Sequence, residues 1–445
     1  MRGAEEGGTR RRIARLESSK KTSYFLILPI VLENAPTRNA FCRVGMRSKI
    51  ASLFSGCGGL DLGFLGGFEF GGLNYPENSV EIVFANDFDA DASTCYNANK
   101  LLTRGGNAEC LLADIRNVEA SAIPDYDILL AGFPCQPFSN AGNRKGVNDK
   151  NGRGTLFEEC ERILKAKIDK EAKPKAFVFE NVRGILSSKM ASGITVPEEI
   201  RNRMEALGYN ISMRLVCAQD YGVPQARFRV LIIGVSSEIP AFDFDEMKAV
   251  VEEGKIPSVA FGSHEQLLLG NVIRGLEDLP DGEAWAYTAS TQKMVDLIGP
   301  CKFGKKGFDY FEGGGKAGSL PKELREGRSW KDIPPALLPP RFRRIYDDPK
   351  RYHAPKFYRR FALGEINGTI TASAQPENCG ITHPFENRRY TVREIARIQS
   401  FPDNYEFSSI PLQSRYKVIG NAVPPVLGWV IAKSLLKHLE KHGLH

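Results

Sequence analysis

No two of the nine cysteines stand in a C-x-x-C pair, and their number is odd. The 445-residue chain therefore shows neither a zinc knuckle nor a disulfide framework, and a reducing, cytoplasmic setting is expected. Long hydrophobic runs are missing too. The apolar run at residues 24–32 falls far short of the roughly 20 residues a membrane span needs, and Pro29 interrupts it. It follows Arg10-Arg11-Arg12 and Lys20-Lys21 in the order of a secretion signal, but no small-x-small cleavage site follows closely. Residues 1–45 read as an N-terminal extension, disordered or not native, without a catalytic role. No internal repeat or low-complexity tract is present, which excludes a solenoid. The dinucleotide fingerprint is also absent: G-x-G-x-x-G begun at Gly56 requires glycine where Asp61 stands, which disfavours nicotinamide and flavin cofactors.

What is present is ordinary globular composition, 42% hydrophobic and 25% charged. The length suits two or three domains at about 100–200 residues each. Charge is uneven. The chain carries a net +7, yet residues 301–360 hold 16 Lys/Arg against 7 Asp/Glu, and residues 1–45 hold 9 against 4. A mildly acidic body thus carries a basic insert. That pattern suits a polyanion-binding module, and equally a merely solvated basic face.

From Lys49 short apolar runs recur at 50–54, 82–86, 109–113, 127–131, 176–180, 212–217 and 228–235, most of them bounded by Gly, Pro, Asn or Asp. Helix-length stretches lie between several of them, at 90–102, 156–166 and 198–207. This alternation predicts an α/β domain over 46–235, a mostly parallel sheet with helices on both faces and ligands at the carboxyl ends of its strands. Residues 236–365 are rich in Gly, Pro, aromatic and basic residues without sustained periodicity, and are expected to form a smaller irregular or β-rich domain. Helical spacing returns at Val392, Ile395, Ala396 and Ile398 and again over 425–439, so residues 366–445 are expected to pack back on the first domain.

The strand exits carry the chemistry. The first, Phe54-Ser55-Gly56-Cys57-Gly58-Gly59-Leu60, is a glycine turn that brings backbone close to a ligand and exposes helix N-terminal N–H groups; alone, it is also just a tight turn. The second ends in Asp87-Phe88, an acid suited to a ribose diol and a ring suited to stacking. The third gives Asp114-Ile115. Each acid alone is more often a helix cap; in series they describe a nucleoside cofactor without a phosphate site, and S-adenosylmethionine fits. The fourth exit is Pro134-Cys135-Gln136-Pro137, one thiol held between prolines at a strand terminus, as a nucleophile requires. Downstream, residues 142–154 hold four glycines with Arg144, Lys145 and Arg153, a basic loop able to close over a polyanion. The fifth is Glu180-Asn181-Val182. A carboxyl following an apolar strand is shielded from water, which favours the protonated form that can donate to a ring nitrogen. Last, Gln225-Ala226-Arg227-Phe228-Arg229 alternates guanidinium forks able to hold a base carbonyl or a phosphate.

Together, Phe54 to Gly59, Pro134-Cys135-Gln136, Glu180-Asn181-Val182, Gln225-x-Arg227-x-Arg229, Arg393 to Pro402 and Gly420-Asn421-Ala422-Val423 resemble the ordered motifs of the DNA (cytosine-5) methyltransferases of prokaryotic restriction–modification type. The resemblance runs from about residue 49 to 437. Its departures are Cys57 within the glycine turn and Ala422 after Asn421, neither of which removes a group the chemistry needs. It implies a Rossmann-like methyltransferase sheet and a target-recognition domain. It also implies Cys135 as nucleophile toward cytosine C6, Glu180 at N3 and the exocyclic amine, and Arg227 at O2 with Arg229 in support. S-adenosylmethionine would lie against Phe54, Gly56, Gly58, Gly59, Leu60, Asp87, Phe88, Asp114, Ile115, Pro134, Asn421 and Val423, with no metal. The base would be flipped from double-stranded DNA, with Gln136, Ser139 and Arg153 as contacts near it and Arg341, Arg343, Arg344, Lys350 and Arg351 as candidates in the basic segment. The resemblance further implies a monomer paired functionally with a restriction endonuclease. A tRNA cytosine-5 methyltransferase and a non-catalytic DNA-binding regulator on the same fold are the alternatives.

Overall fold

In the computed structural model, which describes residues 47–134, 156–190, 192–276, 278–312, 319–348 and 357–444, the chain begins with strand β1 (Ser48–Leu53) and helix α1 (Gly59–Leu65). A hairpin of β2 (Phe68–Phe70) and β3 (Leu73–Tyr75) precedes β4 (Val80–Asp87), α2 (Ala90–Ala98), α3 (Lys100–Thr103), β5 (Cys110–Leu112) and β6 (Ile128–Ala131). Then come α4 (Phe157–Ile168), β7 (Ala176–Val182), α5 (Val196–Ala206), β8 (Tyr209–Cys217), the short β9 (Gln225–Ala226) and β10 (Phe228–Ser236). Helices α6 (Asp245–Glu253), α7 (Leu269–Val272), α8 (Ala289–Ile298) and α9 (Pro340–Asp347) are followed by β11 (Asn367–Gly368), α10 (Val392–Ile398), α11 (Leu412–Asn421) and α12 (Pro425–Lys441).

Seven strands make one sheet in the order β5-β4-β1-β6-β7-β10-β8. Each overlaps one of the apolar runs of the sequence. Those runs are continuous rather than alternating because both faces of the sheet are covered. In β6, Ile128 and Leu130 belong to one buried cluster and Leu129 to the other, and in β7 Val178 faces the first while Phe177 and Phe179 face the second. Five strands, β5 to β7, run parallel. β10 runs antiparallel to both β7 and β8. The connection from β8 to β10 is too short for the crossover of a dozen or more residues that a parallel return needs.

Helix starts follow local chemistry. Asp89 caps α2, Thr195 caps α5, and Thr391 with Glu394 forms a capping box on α10. α12 crosses α1 at a pair of glycines, since a Cβ on Gly63 would stand 2.6 Å from the backbone of Gly428. The helical stretch Leu412–Lys441 has the length and apolar content to cross a membrane, but 89% of its apolar window is buried inside the protein. Between 236 and 365 the described residues form short helices and turns without a named strand. Among those described residues only the isolated bridges Ser258↔Ser263 and Arg328↔Arg360 pair, so the described part of the segment is irregular rather than β-rich. Buried arginines hold it. Arg360, 1% exposed, donates to the carbonyls of His383 and Glu386 at 2.9 and 3.0 Å, and Arg389 lies between the rings of Trp285 and Tyr287, 4.2 Å from each. Part of the positive charge read from the sequence is therefore internal scaffolding.

Candidate active site

The register puts the strand exits in one row. Leu53 pairs with Asn86 on one side and Ala131 on the other, Ala131 with Phe179, Asp87 with Leu112, and Val182 with Arg229. Because β10 is antiparallel, its beginning shares this edge with the ends of the parallel strands.

At the β1 exit Phe54, Gly56 and Gly58 all take left-handed backbone (φ 56°, 59° and 79°). Gly56 has open space where a side chain would stand, whereas a Cβ on Gly58 would lie 2.3 Å from Leu102. Cys57 is fully buried beneath the turn, its thiol 3.5 Å from the Val418 carbonyl, and burial pushes that thiol well up in pKa, as suits a packing residue. Asp87 accepts hydrogen bonds from the Gly56 and Asp89 amides at 2.7 and 2.8 Å, and burial raises its carboxyl. Deeper, fully buried Asp61 accepts from Ser52 Oγ at 2.7 Å, and desolvation pushes it up to about 6. Phe88 stands 73% exposed beside the exposed Leu111 and Leu112. The Asn86 side-chain amide fastens the β5 exit by donating to the Leu111 and Ala113 carbonyls, each at 2.9 Å.

Asp114 is placed differently from a free ligand group. Its carboxylate caps the next turn and takes a two-pronged ion pair from Arg116, which holds it below the usual carboxylate range. Ile115 is 2% exposed and packs into the core beneath the sheet. Leu60 is buried in α1, Asn421 is exposed at the end of α11, and Val423 lies against the glycine turn. A Cβ on Gly59 would stand 2.2 Å from the Val423 carbonyl. Backbone lies on both sides of that contact, so Gly59→Ala is expected to cost about 1–3 kcal/mol through overpacking and to weaken cofactor binding. Thermal unfolding with and without S-adenosylmethionine measures both; an unchanged ligand-induced shift would contradict the crowding. The open glycine cradle, the acid holding its amides and the bare Phe88 ring fit S-adenosylmethionine.

At the β6 exit Phe133 is buried edge-on to Phe179, and its carbonyl accepts from the Asn181 amide at 3.3 Å. Pro134 is half-buried, and Gly132 stands so near Glu180 that its Cβ position is 3.7 Å from Oε2. The chain thus enters the cysteine segment at Glu180's side. Cys135, Gln136, Ser139, Arg153, Lys350 and Arg351 lie outside the described residues. Glu180, 8% exposed, is ion-paired through Oε1 with Arg229 Nε. Arg229 also donates to the Phe228 carbonyl at 2.8 Å.

The two arginines of the motif occupy different places. Arg227 is fully buried and donates to the carbonyls of Ile370, Gly420 and Ala422 at 2.9–3.0 Å. None of these partners belongs to the Glu180–Arg229 pair. Gln225 joins the same network, donating to Gln399 Oε1 at 2.5 Å and accepting from the Ile370 amide at 3.0 Å, and Gln399 in turn donates to the Ala422 carbonyl at 2.6 Å. Sequence reasoning gave Gln225 and Gln399 no such role. Their only signal was a place in the stretches Gln225-x-Arg227-x-Arg229 and Arg393 to Pro402, which does not name a partner.

In the basic segment, α9 rests on a separate cluster that includes Trp330, Phe342 and Phe357. Arg341 lies over the Phe357 ring, Arg343 pairs with Asp347, and Arg344 is exposed without an ion pair among the described residues.

The model of the C-5 cytosine-specific DNA methylases matches residues 48–437. The chain is 32% identical over 408 residues to Type II methyltransferase M.NgoFVII of Neisseria gonorrhoeae, covering 90% of each protein. It is 30% identical to Type II methyltransferase M.FnuDI of Fusobacterium nucleatum, covering 88% of this chain and 95% of that one. Among solved structures, the S. pombe Dnmt2 methyltransferase superposes with a TM-score of 0.53 at 17% identity, over 88% of this chain and 99% of the other. The Entamoeba histolytica methyltransferase EhMeth gives 0.52 at 16%, over the same shares.

Proposed function

Since the chain belongs to the C-5 cytosine-specific DNA methylases, and is a DNA (cytosine-5-)-methyltransferase of Type II restriction–modification kind, we propose that it modifies a cytosine flipped out of double-stranded DNA. The observation that carries this reading is the Glu180–Arg229 pair at the entrance to the cysteine segment, in register with the glycine turn.

Bound S-adenosylmethionine would supply an electrophilic methyl group, held by the Gly56–Gly59 turn, Asp87 and Phe88. Cytosine C5 is a poor nucleophile. Addition of the Cys135 thiolate to C6 makes C5 enamine-like, with Glu180 donating a proton to N3 and accepting from the exocyclic amine. Arg229, beside Glu180, is the guanidinium placed to meet O2. Arg227, with its donors on backbone carbonyls, orders the strand that presents Arg229. After the methyl group arrives at C5, loss of the C5 proton to a base and departure of the Cys135 thiolate restore the ring. The protein then works as a cytoplasmic monomer alongside a cognate restriction endonuclease, and Arg341 and Arg344 on α9 contact DNA. Direct readout in the major groove sets its sequence preference.

Bisulfite sequencing of DNA from cells expressing the protein tests this reading, together with tritiated methyl transfer to DNA and to tRNA in parallel. Methylcytosine in a fixed DNA context is expected; transfer to tRNA alone would overturn the substrate. Glu180→Gln, which keeps the shape but cannot surrender a proton, is expected to lower kcat by roughly 10²–10⁴-fold with cofactor affinity retained. Single-turnover methylation measures it, and a rate within a few-fold of wild type would remove Glu180 from the proton path.

A further inference from the structure

Among the described residues, the arginines around the site are, with one exception, already committed. Arg229 serves Glu180, Arg227 serves three carbonyls, Arg116 serves Asp114, and Arg203 serves glutamates on α4 and α5. Arg183 is different. It is exposed, follows Val182 directly at the end of β7, and has neither an ion pair nor a side-chain hydrogen bond among the described residues. What holds it is a ring: its guanidinium lies 5.9 Å from the centroid of Phe228, which is itself 43% exposed between Arg227 and Arg229.

That combination is chemically specific. A guanidinium resting on an aromatic face is fixed in orientation while its in-plane N–H donors stay available, the arrangement that suits a phosphate. The turn that follows adds exposed Lys189 and contains no acid from 183 to 190. Position is equally specific. Val182 pairs with Arg229, so Arg183 and Phe228 stand at the lip of the wall built by Glu180 and Arg229. Three residues past Glu180 is about 10 Å at 3.3 Å per residue, so Arg183 stands where the backbone of a nucleotide whose base faces Glu180 must leave the pocket.

We infer that Arg183, seated on Phe228, binds a phosphate of the target strand next to the flipped nucleotide. The inference rests on the base-flipping reading above. Its role is to position the strand, and it touches no reacting atom.

The test uses the full chain and plasmid DNA, comparing wild type with Arg183→Gln, Arg183→Lys and Phe228→Leu. Arg183→Gln is expected to weaken DNA binding roughly tenfold near 0.1 M salt and to lower the slope of log K against log salt by about 0.9, the signature of one lost phosphate contact. Arg183→Lys keeps the slope. Phe228→Leu keeps the slope but weakens binding, because the cation stays and its seat is lost. Calorimetric binding of S-adenosylmethionine stays at the wild-type value in all three. An unchanged slope in Arg183→Gln, a slope lost equally in Arg183→Lys, wild-type affinity in Phe228→Leu, or loss of cofactor binding would each overturn the assignment. Failure of the functional reading is seen separately, as absence of methyl transfer to DNA by the wild-type chain.

Discussion

Arg227→Ala is expected to destabilise the protein by about 3–5 kcal/mol, whereas Arg229→Lys should leave folding intact and remove most of the turnover. The difference follows from what each guanidinium touches. Arg227 is 0% exposed and satisfies three backbone carbonyls drawn from two separate stretches, residue 370 and residues 420–422. Its removal leaves those carbonyls without their donors in a dry interior and opens a cavity. Against a total stability of roughly 5–15 kcal/mol, that is a large fraction. Lysine cannot repair it, because one ammonium cannot reach what a planar fork reaches. Arg229→Lys keeps a cation beside Glu180 but loses the fork that the proposed mechanism sets against cytosine O2. Urea unfolding separates the two variants: Arg227→Ala loses midpoint concentration, and Arg229→Lys keeps it while kcat falls. Equal stability of Arg227→Ala and wild type would refute the clamp.

Cys135→Ser is expected to reduce methyl transfer by on the order of 10⁴–10⁶-fold, the scale of removing a nucleophile. A serine hydroxyl is not ionised at neutral pH and has no base assigned to activate it, so the addition to C6 fails. DNA and cofactor binding should persist. The direct readout is a duplex carrying 5-fluorocytosine, whose C5 fluorine cannot leave as a proton. Wild type should form a denaturant-resistant adduct on it in the presence of S-adenosylmethionine, and Cys135→Ser should form none. Turnover by the serine variant near the wild-type rate would sink the covalent route.

The central sheet was legible because its strands are short, apolar and punctuated by turn residues. What the sequence could not show was the reversal of β10, since a strand's direction depends on the length of the connection before it rather than on its own residues. The segment 236–365 was harder still. It is held in part by arginines such as Arg360, Arg389 and Arg393 inserted among carbonyls and rings, and an arginine in a sequence looks the same whether it faces solvent or the core. The same ambiguity governs the Gln-x-Arg-x-Arg stretch. Alternation places Arg227 and Arg229 on one face, but the ladder of β10 begins only at Phe228, and the chain bends at Arg227, whose amide donates to Gln225 at 2.8 Å. Asp114 shows a related limit: an acid after a strand was marked as a ligand group, and the structure gives it Arg116 as neighbour.

The contact of Gly59 with Val423, and of Gly63 with Gly428, has a bearing on how the protein is made. The first turn to leave the ribosome among the described residues is completed only by segments synthesised more than 350 residues later. Such long-range closure is slow, so a nascent chain carries an unfinished glycine turn until translation has passed α12. Completion of this corner of the fold therefore waits on the synthesis of α12, however early the glycine turn itself is made.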